Sequence, residues 1–518
     1  MKIANIMCFA RCYNNVPKQF ENTRAEFELI NELNVDHTFL LEYDAICNED
    51  YQNLFKEKAT ERTEIGLWFE IVEPLTSACG MPYRSELGLK WDYHIVPGFS
   101  MGYTTREREI LIDEAMRKFK EVFGYYPKTV ACWLMDTHTI NYLTENYRIS
   151  ALAICRDQVN FDAYTLIGGY FNQAYYPSRK NMFTPAQSDE YRINVPIFRL
   201  LGPCPIHNYE RLKYIAPGTS GACTLEPAWG SQACSEGLMK TIYENESLAF
   251  AYAQIGQENT IGSIKVILDT LRDQVKRILE MGDVMLLKMS DSGELFKKTF
   301  PDKTPATAVV ATENWNTLDV QSVYYDSEKY VADIFRYEDS IFIRSFFLFD
   351  ETVEDHYLSE VCKTSDAIYE NLPIVNTQLW FDFSEKKNCG MVFDSNAEKF
   401  TVKKMSDSSL RVSWKDRYVQ FEERRIKCKT DKIRFYLGNK VLRVGEEIVD
   451  HNNNGNKFYV NPKPDIKVCG NSIEYEYKGN KYYLNTEKAD IKVASDTMIE
   501  ITPLADDGVF YLYPDTYK

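Results

Sequence analysis

The sequence lacks the motifs that mark the common cofactor and nucleophile sites. It has no GxGxxG or GxxxxGK[ST] phosphate loop and no GxSxG turn. These absences argue against nucleotide-binding doubly wound folds and against serine hydrolases of the α/β-hydrolase type. No window of about 18 apolar residues occurs, so the sequence predicts no membrane-spanning helix.

Cysteine and histidine also lack the spacing of a structural site. The 13 cysteines are odd in number and show no CxxC pair, and there are only 6 histidines. A disulfide framework or a structural zinc site would be spaced differently. Residues 1–11 have no small-residue cleavage site and are typical of a buried strand, not of a signal peptide. We therefore expect a cytoplasmic protein with free thiols.

Positive charge is in deficit, because 60 Lys and Arg face 76 Asp and Glu, for a net charge of −16. An acidic surface repels phosphate backbones and anionic head groups, so we expect neither nucleic acid nor membrane as a partner. Aromatic residues reach 14%. Rings beside carboxylates suit a carbohydrate, whose C–H faces stack on the rings. Nothing in the sequence determines the oligomeric state.

The first 320 residues alternate apolar runs with amphipathic stretches. Thr104 and Glu107 have capping-box spacing, and Gly124 is placed to end the helix that follows. This alternation predicts a parallel sheet covered by helices, of the α/β class. About seven units favour a (β/α)7-type barrel, a distorted relative of the TIM barrel, over residues 1–320. The predicted strands are residues 3–10, 37–43, 64–72, 129–135, 150–155, 196–201 and 284–289.

Residues 321–518 show a different pattern. Short runs alternate polar and apolar residues, with turn residues at intervals, and Gly438-Asn439 and Gly479-Asn480 are typical of tight hairpins. A helix is expected within residues 355–372. We expect an antiparallel β-rich domain, sandwich-like, packed against the barrel.

In parallel barrels the active site lies at the carboxyl ends of the strands. Acidic residues that gather on one rim can supply the two carboxyl groups that glycosidic chemistry needs. The competing interpretation is that each strand-end Asp caps the next helix. The polar residues that follow predicted strands are Asp44, Glu70, Asp136, Arg156, Asp291 and Glu294.

Two Asp-x-His pairs, Asp92 with His94 and Asp136 with His138, could each aim two side chains at one point if the chain is extended there. Such a set could bind zinc or another divalent ion, although a His that caps a helix or bonds its neighbouring Asp is commoner.

Tryptophans near these acids suggest aromatic platforms for a sugar ring, unless these side chains belong to the hydrophobic core. The further candidates for substrate binding are Trp68, Trp91, Trp133, Glu226 and Trp229.

Residues 127–136, which end at Asp136, resemble the strand that carries the catalytic carboxylate in the glycoside hydrolase/deacetylase barrel superfamily. This superfamily includes family 38 α-mannosidases, amylase-like family 57 enzymes and polysaccharide deacetylases. Residues 64–70, 91–94 and 304–307 also resemble a bacterial family in which a seven-stranded barrel precedes a β-rich domain. The resemblance implies Asp136 as nucleophile and Asp291 as acid/base. Beside them, Glu70, Asp92 and His94 are expected to orient the hydroxyl groups of the sugar.

The sequence departs from the metal sites of these families. No two histidines are four residues apart, as the deacetylase HxxxH pair requires, and the first strand has no His-x-Asp pair. The leading hypothesis is therefore a glycoside hydrolase without a cofactor. A metal-dependent carbohydrate deacetylase that uses Asp92, His94, Asp136 and His138, and a catalytically inactive sugar-binding module, are the alternatives.

Overall fold

The computed structural model describes most of the chain. Not described are residues 14–17, 86–87, 93, 162–163, 203, 207–223, 228–231, 260–263, 314–318, 365–366, 368, 382–387, 439–445, 451–455, 461 and 518, nor the side chains of residues 158–161, 164–165, 446–450 and 456–460.

The amino-terminal part contains a mixed sheet and ten α-helices among its described residues. The strands are β1 (Lys2–Ala10), β2 (His37–Leu41), β3 (Thr63–Trp68), β4 (Thr129–Ala131), β5 (Ala151–Ile154), β6 (Gln158–Phe161), β7 (Tyr164–Leu166), β8 (Ala174–Tyr175), β9 (Ile197–Arg199), β10 (Ala251–Ile255) and β11 (Met285–Leu286). The helices are α1 (Gln19–Leu33), α2 (Tyr43–Cys47), α3 (Glu49–Lys58), α4 (Glu73–Ala78), α5 (Ile95–Gly98), α6 (Thr105–Phe123), α7 (Thr137–Asn146), α8 (Gln232–Met239), α9 (Ile264–Met281) and α10 (Met289–Thr299).

The main sheet has the strand order β10-β1-β2-β3-β4-β5-β9-β8, and every neighbouring pair from β10 to β9 is parallel. No ladder joins β9 to β10 in the described part, where the Leu201 amide instead donates to Oε1 of Gln254 at 2.9 Å. The expectation of a barrel-like parallel sheet is confirmed in this form. Strand β1 is buried along nearly all its length because helices cover its outer side.

Helix α6 shows how local sequence determines an element. Thr104 accepts from the Glu107 amide and the Glu107 side chain accepts from the Thr104 amide, so the predicted capping box is present. Gly124 ends the helix with φ +84°, a conformation that glycine adopts without strain. The buried residues of α6 include Leu111, Ala115 and Phe119, at helical spacing.

The last strand of the barrel is β10, not the predicted strand at residues 284–289. Within that range only β11 forms, and it pairs with Ile3 and Ala4 at the amino end of β1. Helix α10 then crosses the amino ends of the strands. The Met289 amide donates to Thr38 Oγ1 at 2.9 Å, and the Ser290 amide donates to Glu64 Oε2 at 3.0 Å.

The carboxyl-terminal part forms two large antiparallel sheets, as predicted in outline. Its strands are β12 (Thr307–Ala311), β13 (Val320–Asp326), β14 (Tyr330–Tyr337), β15 (Ser340–Leu348), β16 (Leu372–Asn376), β17 (Gly390–Asp394), β18 (Thr401–Ser406), β19 (Ser409–Trp414), β20 (Arg417–Glu422), β21 (Arg425–Lys429), β22 (Ile433–Tyr436), β23 (Glu446–Asp450), β24 (Asn456–Val460), β25 (Asp465–Cys469), β26 (Ser472–Tyr477), β27 (Asn480–Glu487), β28 (Ala489–Ser495), β29 (Met498–Pro503) and β30 (Val509–Asp515), with a short helix α11 (Thr377–Trp380).

One sheet has the order β12-β13-β14-β15-β17-β22-β29-β28, with β16 on β15, and the other has the order β18-β19-β20-β21-β30-β27-β26-β25. The sheets contact face to face where Tyr325 stacks on Phe421, with ring centroids 5.4 Å apart. The predicted hairpin at Gly479 is present, because Tyr477 pairs with Asn480. The second predicted hairpin includes Asn439, which lies outside the described residues.

The helix expected within residues 355–372 does not form in the described part of that stretch. The described part of this stretch has one short 3₁₀ turn, His356–Leu358, and β16 begins at Leu372. The carbonyls of Tyr357 and Glu360 accept from the buried Arg108 guanidinium of α6 at 2.5 Å each. These two carbonyls therefore accept hydrogen bonds from the barrel side chain Arg108, where a helix would use them to accept from its own amides.

The structure bears on two expectations from the sequence, that the cysteines are free thiols and that no helix spans a membrane. Cys234 is disulfide-bonded, so the expectation of free thiols throughout is wrong at that residue, whereas the other described cysteines are free. Within the described residues, no helix is both long enough and apolar enough for a bilayer crossing. The cytoplasmic location stays a prediction.

Candidate functional site

Four charged side chains meet at the carboxyl ends of the central strands. Arg11 follows β1, and its guanidinium contacts the carboxylates of Glu42, Glu70 and Glu258, which follow β2, β3 and β10. Glu70 binds it in a bidentate way, at 2.8 Å to Nη2 and 3.1 Å to Nε. All four side chains are buried. We call Arg11, Glu42, Glu70 and Glu258 the rim cluster.

The rim cluster and its neighbour Asp44 contain more acids than cations. Burial, followed by the charges of Asp44 and Glu70, raises the pKa of Glu42 well above its ordinary value. Burial also raises the pKa of Asp44 to about 6, against hydrogen bonds from Glu42 and from the amides of Ala45 and Cys12. Both carboxyl groups are therefore harder to ionise than an exposed carboxyl, and Asp44 ionises as the pH rises through about 6.

A cleft of about 460 Å³ opens beside this cluster. Asp44 lines it, and one wall consists of Tyr13 and Trp91, whose rings stack with centroids 4.6 Å apart. The Trp91 indole donates to Glu70 Oε2 at 3.1 Å, which fixes the ring to the rim cluster. Lys90 is the cation in the described lining. The cleft thus combines an acid/base group with an aromatic platform.

Several predicted site residues lie at or near this cleft. Trp91 lines the cleft, and Glu70 lies behind it, bonded to the Trp91 indole and to Arg11. Trp68 and Trp133 pack around Phe9, with Trp68 stacked on it at 4.2 Å and Trp133 edge-on at 5.1 Å. These two tryptophans are packing residues below the rim, whereas Trp91 is the ring that lines the cleft.

The residues of the first Asp-x-His pair bond each other. His94 Nδ1 lies 2.7 Å from Oδ1 of Asp92, whose Oδ2 accepts from Ser85. Asp92 is fully buried. The His94 amide also donates to Asp92 Oδ1, at 3.0 Å, so this His bonds its neighbouring Asp, which is the commoner role that the sequence left open.

Asp136 does not face the cleft. It caps α7, and its carboxylate accepts from Arg108 at 2.8 Å, from Ser100 at 2.5 Å and from the amide and hydroxyl of Thr139. The carboxyl-terminal part covers this position, since Tyr369 donates to the carbonyl of Met135. The side chain is 0% exposed. This geometry contradicts a nucleophile at the barrel mouth and matches the helix-cap interpretation.

The prediction that Asp136 and Asp291 share one rim is wrong. Asp291 lies in the first turn of α10, next to residues that bond the amino ends of β2 and β3. It is 52% exposed and pairs with Lys288 at 3.5 Å. Glu294 is on the same helix, paired with Lys297. Neither acid reaches the rim, because the apolar run that precedes them forms β11 and not the last strand of the barrel.

The remaining predicted residues are separate from the cleft. His138 lies on α7, where a helical backbone turns it away from Asp136, and its Nε2 is 3.4 Å from Glu109. Arg156 is buried after β5. Glu226 accepts from Gln257 at 2.8 Å. Trp229 lies outside the described residues.

Sequence reasoning missed Arg11, Glu42 and Glu258, and it assigned no role to Asp44. The available signal was the run at residues 251–255, an apolar strand followed directly by Gly256, Gln257 and Glu258. Arg11 also follows a predicted strand directly. It was missed because only carboxylates were considered as catalytic groups at the strand ends.

The alternative hypothesis of a zinc-dependent deacetylase requires a group of metal ligands. In the described part of the chain, no three His, Cys, Asp or Glu side chains are grouped so that they could hold a metal ion. The donors proposed for it are committed elsewhere: Asp136 to Arg108 and Thr139, and Asp92 to His94. We therefore derive no step through a metal.

Comparison by sequence found no match to any protein-family model and no similar curated protein. Comparison by structure found a glycoside hydrolase/deacetylase candidate from Parabacteroides distasonis, at a TM-score of 0.53 and 14% identity, over 71% of this chain and 91% of that one. At 14% identity this likeness concerns the fold alone.

Two further solved structures match with lower TM-scores. A polysaccharide deacetylase candidate from Mycobacterium smegmatis has a TM-score of 0.33 and 12% identity, over 57% of this chain and 91% of that one. A family 4 acetyl xylan esterase from Clostridium thermocellum has a TM-score of 0.27 and 10% identity, over 57% and 91%.

Proposed function

We propose that the protein is a carbohydrate-active hydrolase whose reaction takes place in the cleft beside Asp44 and Trp91. The observation that carries the proposal is the position of Asp44, which lines the cleft beside the stacked rings of Tyr13 and Trp91. Burial raises the pKa of Asp44 to about 6, and it also raises the pKa of the neighbouring Glu42. Carboxyl groups with shifted pKa values in a cleft are typical of general acid–base chemistry.

We propose removal of an acyl group from a sugar as the first reaction to test. Among the described residues that line the cleft, Asp44 is the one carboxylate, whereas glycoside hydrolysis needs two carboxyl groups around the bond, about 5 Å or 6.5–9.5 Å apart. A single base is enough to activate water for acyl hydrolysis. The name of the similar Parabacteroides distasonis protein includes both reactions.

In this mechanism Asp44 takes a proton from water, and the resulting hydroxide adds to the acyl carbon. Lys90 stabilises the negative charge on the carbonyl oxygen. The intermediate then expels the sugar oxygen or nitrogen, to which Asp44 returns the proton. Tyr13 and Trp91 hold the sugar ring by stacking. Glu42 is buried and accepts from the Tyr13 hydroxyl at 3.3 Å, and it acts as a positioning residue by orienting this ring of the cleft wall.

Glycoside hydrolysis, including the family 38 and family 57 types, remains the second candidate. It is supported by Glu70, a carboxylate that touches both Arg11 and the cleft-lining Trp91. A shift of Trp91 would bring this second carboxyl group to the cleft.

The division into a barrel over residues 1–320 and a β-rich domain over residues 321–518 is also kept as a proposal.

The test compares Asp44→Asn with Asp291→Asn, a matched substitution at the opposite end of the barrel. Acetate release from acetylated oligosaccharides and reducing-sugar release from unsubstituted ones are measured in parallel. We expect acetate release that Asp44→Asn abolishes and Asp291→Asn leaves intact. Reducing-sugar release alone would select the second candidate. Binding without either product would favour an inactive sugar-binding protein.

A further inference from the structure

The outer face of the second antiparallel sheet has a composition unlike the rest of this acidic protein. Burial alternates along β21 and β30, where Ile426, Cys428 and Leu512 point to the core and Lys427 and Tyr511 point outward. The outward residues align across strands: Lys403 pairs with Arg411, Arg411 with Gln420, Gln420 with Lys427, and Lys427 with Tyr511.

Cations outnumber acids on the half of this face that β18 to β21 form. The other half carries the outward acids Glu474 and Glu476 of β26 and Glu487 of β27, which pairs with Tyr511. We define the basic face by its outward cations, which are Lys403, Arg411, Lys427, Lys429 and, at the end of β27, Lys488. None of them has a carboxylate within ion-pair distance among the described residues, whereas the chain carries a net charge of −16. Arg411 bonds only the neutral Gln420, at 2.7 and 2.9 Å. A local positive field of this kind suits an anionic ligand.

Aromatic rings lie between these cations. Arg411 lies over the Tyr418 ring at 4.2 Å, and Lys427 and Lys488 lie 5.9 and 5.7 Å from the Tyr511 ring centroid. Tyr513 is the next outward residue on β30, 6.3 Å from Tyr511 between ring centroids. The face therefore offers both stacking surfaces and positive charge along one row.

We propose that the basic face binds an acidic polysaccharide, a chain of sugars that carries carboxylate or sulfate groups. The row from Lys403 to Tyr511 crosses five adjacent strands, which gives a length of about 19 Å at the usual strand spacing. Tyrosine rings accept the C–H face of a sugar, and arginine and lysine accept its charged groups.

A polysaccharide fits this face better than a nucleic acid does. The acids Glu422 and Glu487 border the row, where Glu422 accepts from Arg425 and Glu487 accepts from Tyr513. They would repel the closely spaced phosphates of a nucleic acid strand. A sugar chain can place hydroxyl groups there, because carboxylates accept hydrogen bonds from hydroxyls.

This proposal concerns a face of the β-rich part, and binding there is independent of catalysis in the barrel cleft. The probe is polygalacturonate, and its fully methyl-esterified form is the neutral control. Binding to the full-length protein is measured by isothermal titration calorimetry at low ionic strength. The variant Lys403→Glu/Lys427→Glu/Lys429→Glu is compared with Lys265→Glu/Lys276→Glu/Lys298→Glu, which changes the net charge equally on the barrel.

We expect the wild type and the barrel variant to bind polygalacturonate alike, and the face variant to bind at least tenfold more weakly. Tyr511→Ala, which keeps every charge, should weaken binding several-fold, and Tyr511→Phe should not. Circular dichroism confirms that each variant is folded, and Tyr511→Ala is decisive if the charge-reversed face variant fails to fold.

Three outcomes would overturn the proposal. They are no binding by the wild type, an equal loss in both charge variants, or tighter binding of a single-stranded DNA oligonucleotide than of polygalacturonate at the same ionic strength. The methyl-esterified control should bind more weakly than polygalacturonate, since its charges are removed, and equal binding would also contradict an acidic ligand.

Discussion

Asp44 is expected to control the pH dependence of activity. Its pKa of about 6 lies above the ordinary value of 3.8, and the base form is the ionised one. We therefore expect kcat/KM to rise as the pH increases through about 6. The same shift means that the fold disfavours the ionised carboxyl, so its contribution to stability falls as the pH rises between 3.8 and 6. A pH–rate profile without a limb near 6 would contradict this role.

Glu42 provides a sharper test, because Glu42→Gln copies its protonated form. Burial raises the pKa of Glu42, and if this shift keeps Glu42 neutral over the pH range of the assay, the substitution leaves the limb near pH 6 in place and the protein as stable as before. If Glu42 were ionised, removal of its charge would lower the pKa of Asp44 and move the limb to lower pH. The pH–rate profile and the thermal unfolding curve of the variant distinguish these cases.

Arg11 holds the rim cluster together, and its removal leaves buried carboxylates without their cation. We expect Arg11→Met to lower the free energy of unfolding by roughly 3–5 kcal/mol. Arg117→Met is the matched control, since Arg117 also contacts two glutamates but is 57% exposed, where ion pairs contribute little. Urea unfolding measures both, and equal losses would contradict the role of Arg11.

At the scale of elements, the turn after β10 depends on one glycine. Gly256 has φ +117°, and a Cβ there would lie 2.3 Å from the Met7 carbonyl oxygen of β1. The turn leads to Asn259, which donates to the Arg11 carbonyl at 2.9 Å. Close packing of this turn on β1 therefore positions Arg11 and Glu258 together.

Gly256→Ala should destabilise the protein by roughly 3 kcal/mol or more, because it combines backbone strain with a steric clash. Gly80→Ala is the control, since Gly80 also has a positive φ of +68°, but a Cβ added there would have no atom within 4 Å. We expect a loss of about 1 kcal/mol at Gly80. Thermal unfolding measures the two losses, and similar losses would show that the contact with Met7 is unimportant.

At the scale of the whole molecule, the two parts share buried contacts. Arg108 of the barrel bonds the carbonyls of Tyr357 and Glu360, and Asp326 of β13 accepts from the Phe171 amide at 2.7 Å. β12 precedes residue 320 yet pairs with β13. A cut at 320 would thus leave polar groups and apolar surface exposed on both sides.

We expect a fragment of residues 1–320 to be insoluble or to lack a cooperative unfolding transition, whereas the full chain unfolds in one transition. Differential scanning calorimetry of both proteins tests this. A fragment that unfolds cooperatively at the temperature of the full chain would show instead that the predicted domain folds without its partner.

The sequence by itself determined the local elements and the class of fold. The capping box of Thr104, the Gly124 stop and the buried strand β1 follow from short-range rules, since their hydrogen bonds and apolar spacing lie within a few residues. It could not determine which strand closes the barrel. Residues 251–255 and 284–289 are both short apolar runs, and only long-range packing distinguishes β10 from β11.

Tertiary structure therefore decided the candidate site. Once β10 pairs with β1, Glu258 meets Arg11 across 247 residues, and Asp291 goes to the other end of the barrel. The raised pKa of Asp44 likewise depends on burial among groups from several strands. A carboxylate has the same formula in a helix cap as in a cleft, and its neighbours in space determine which chemistry it performs.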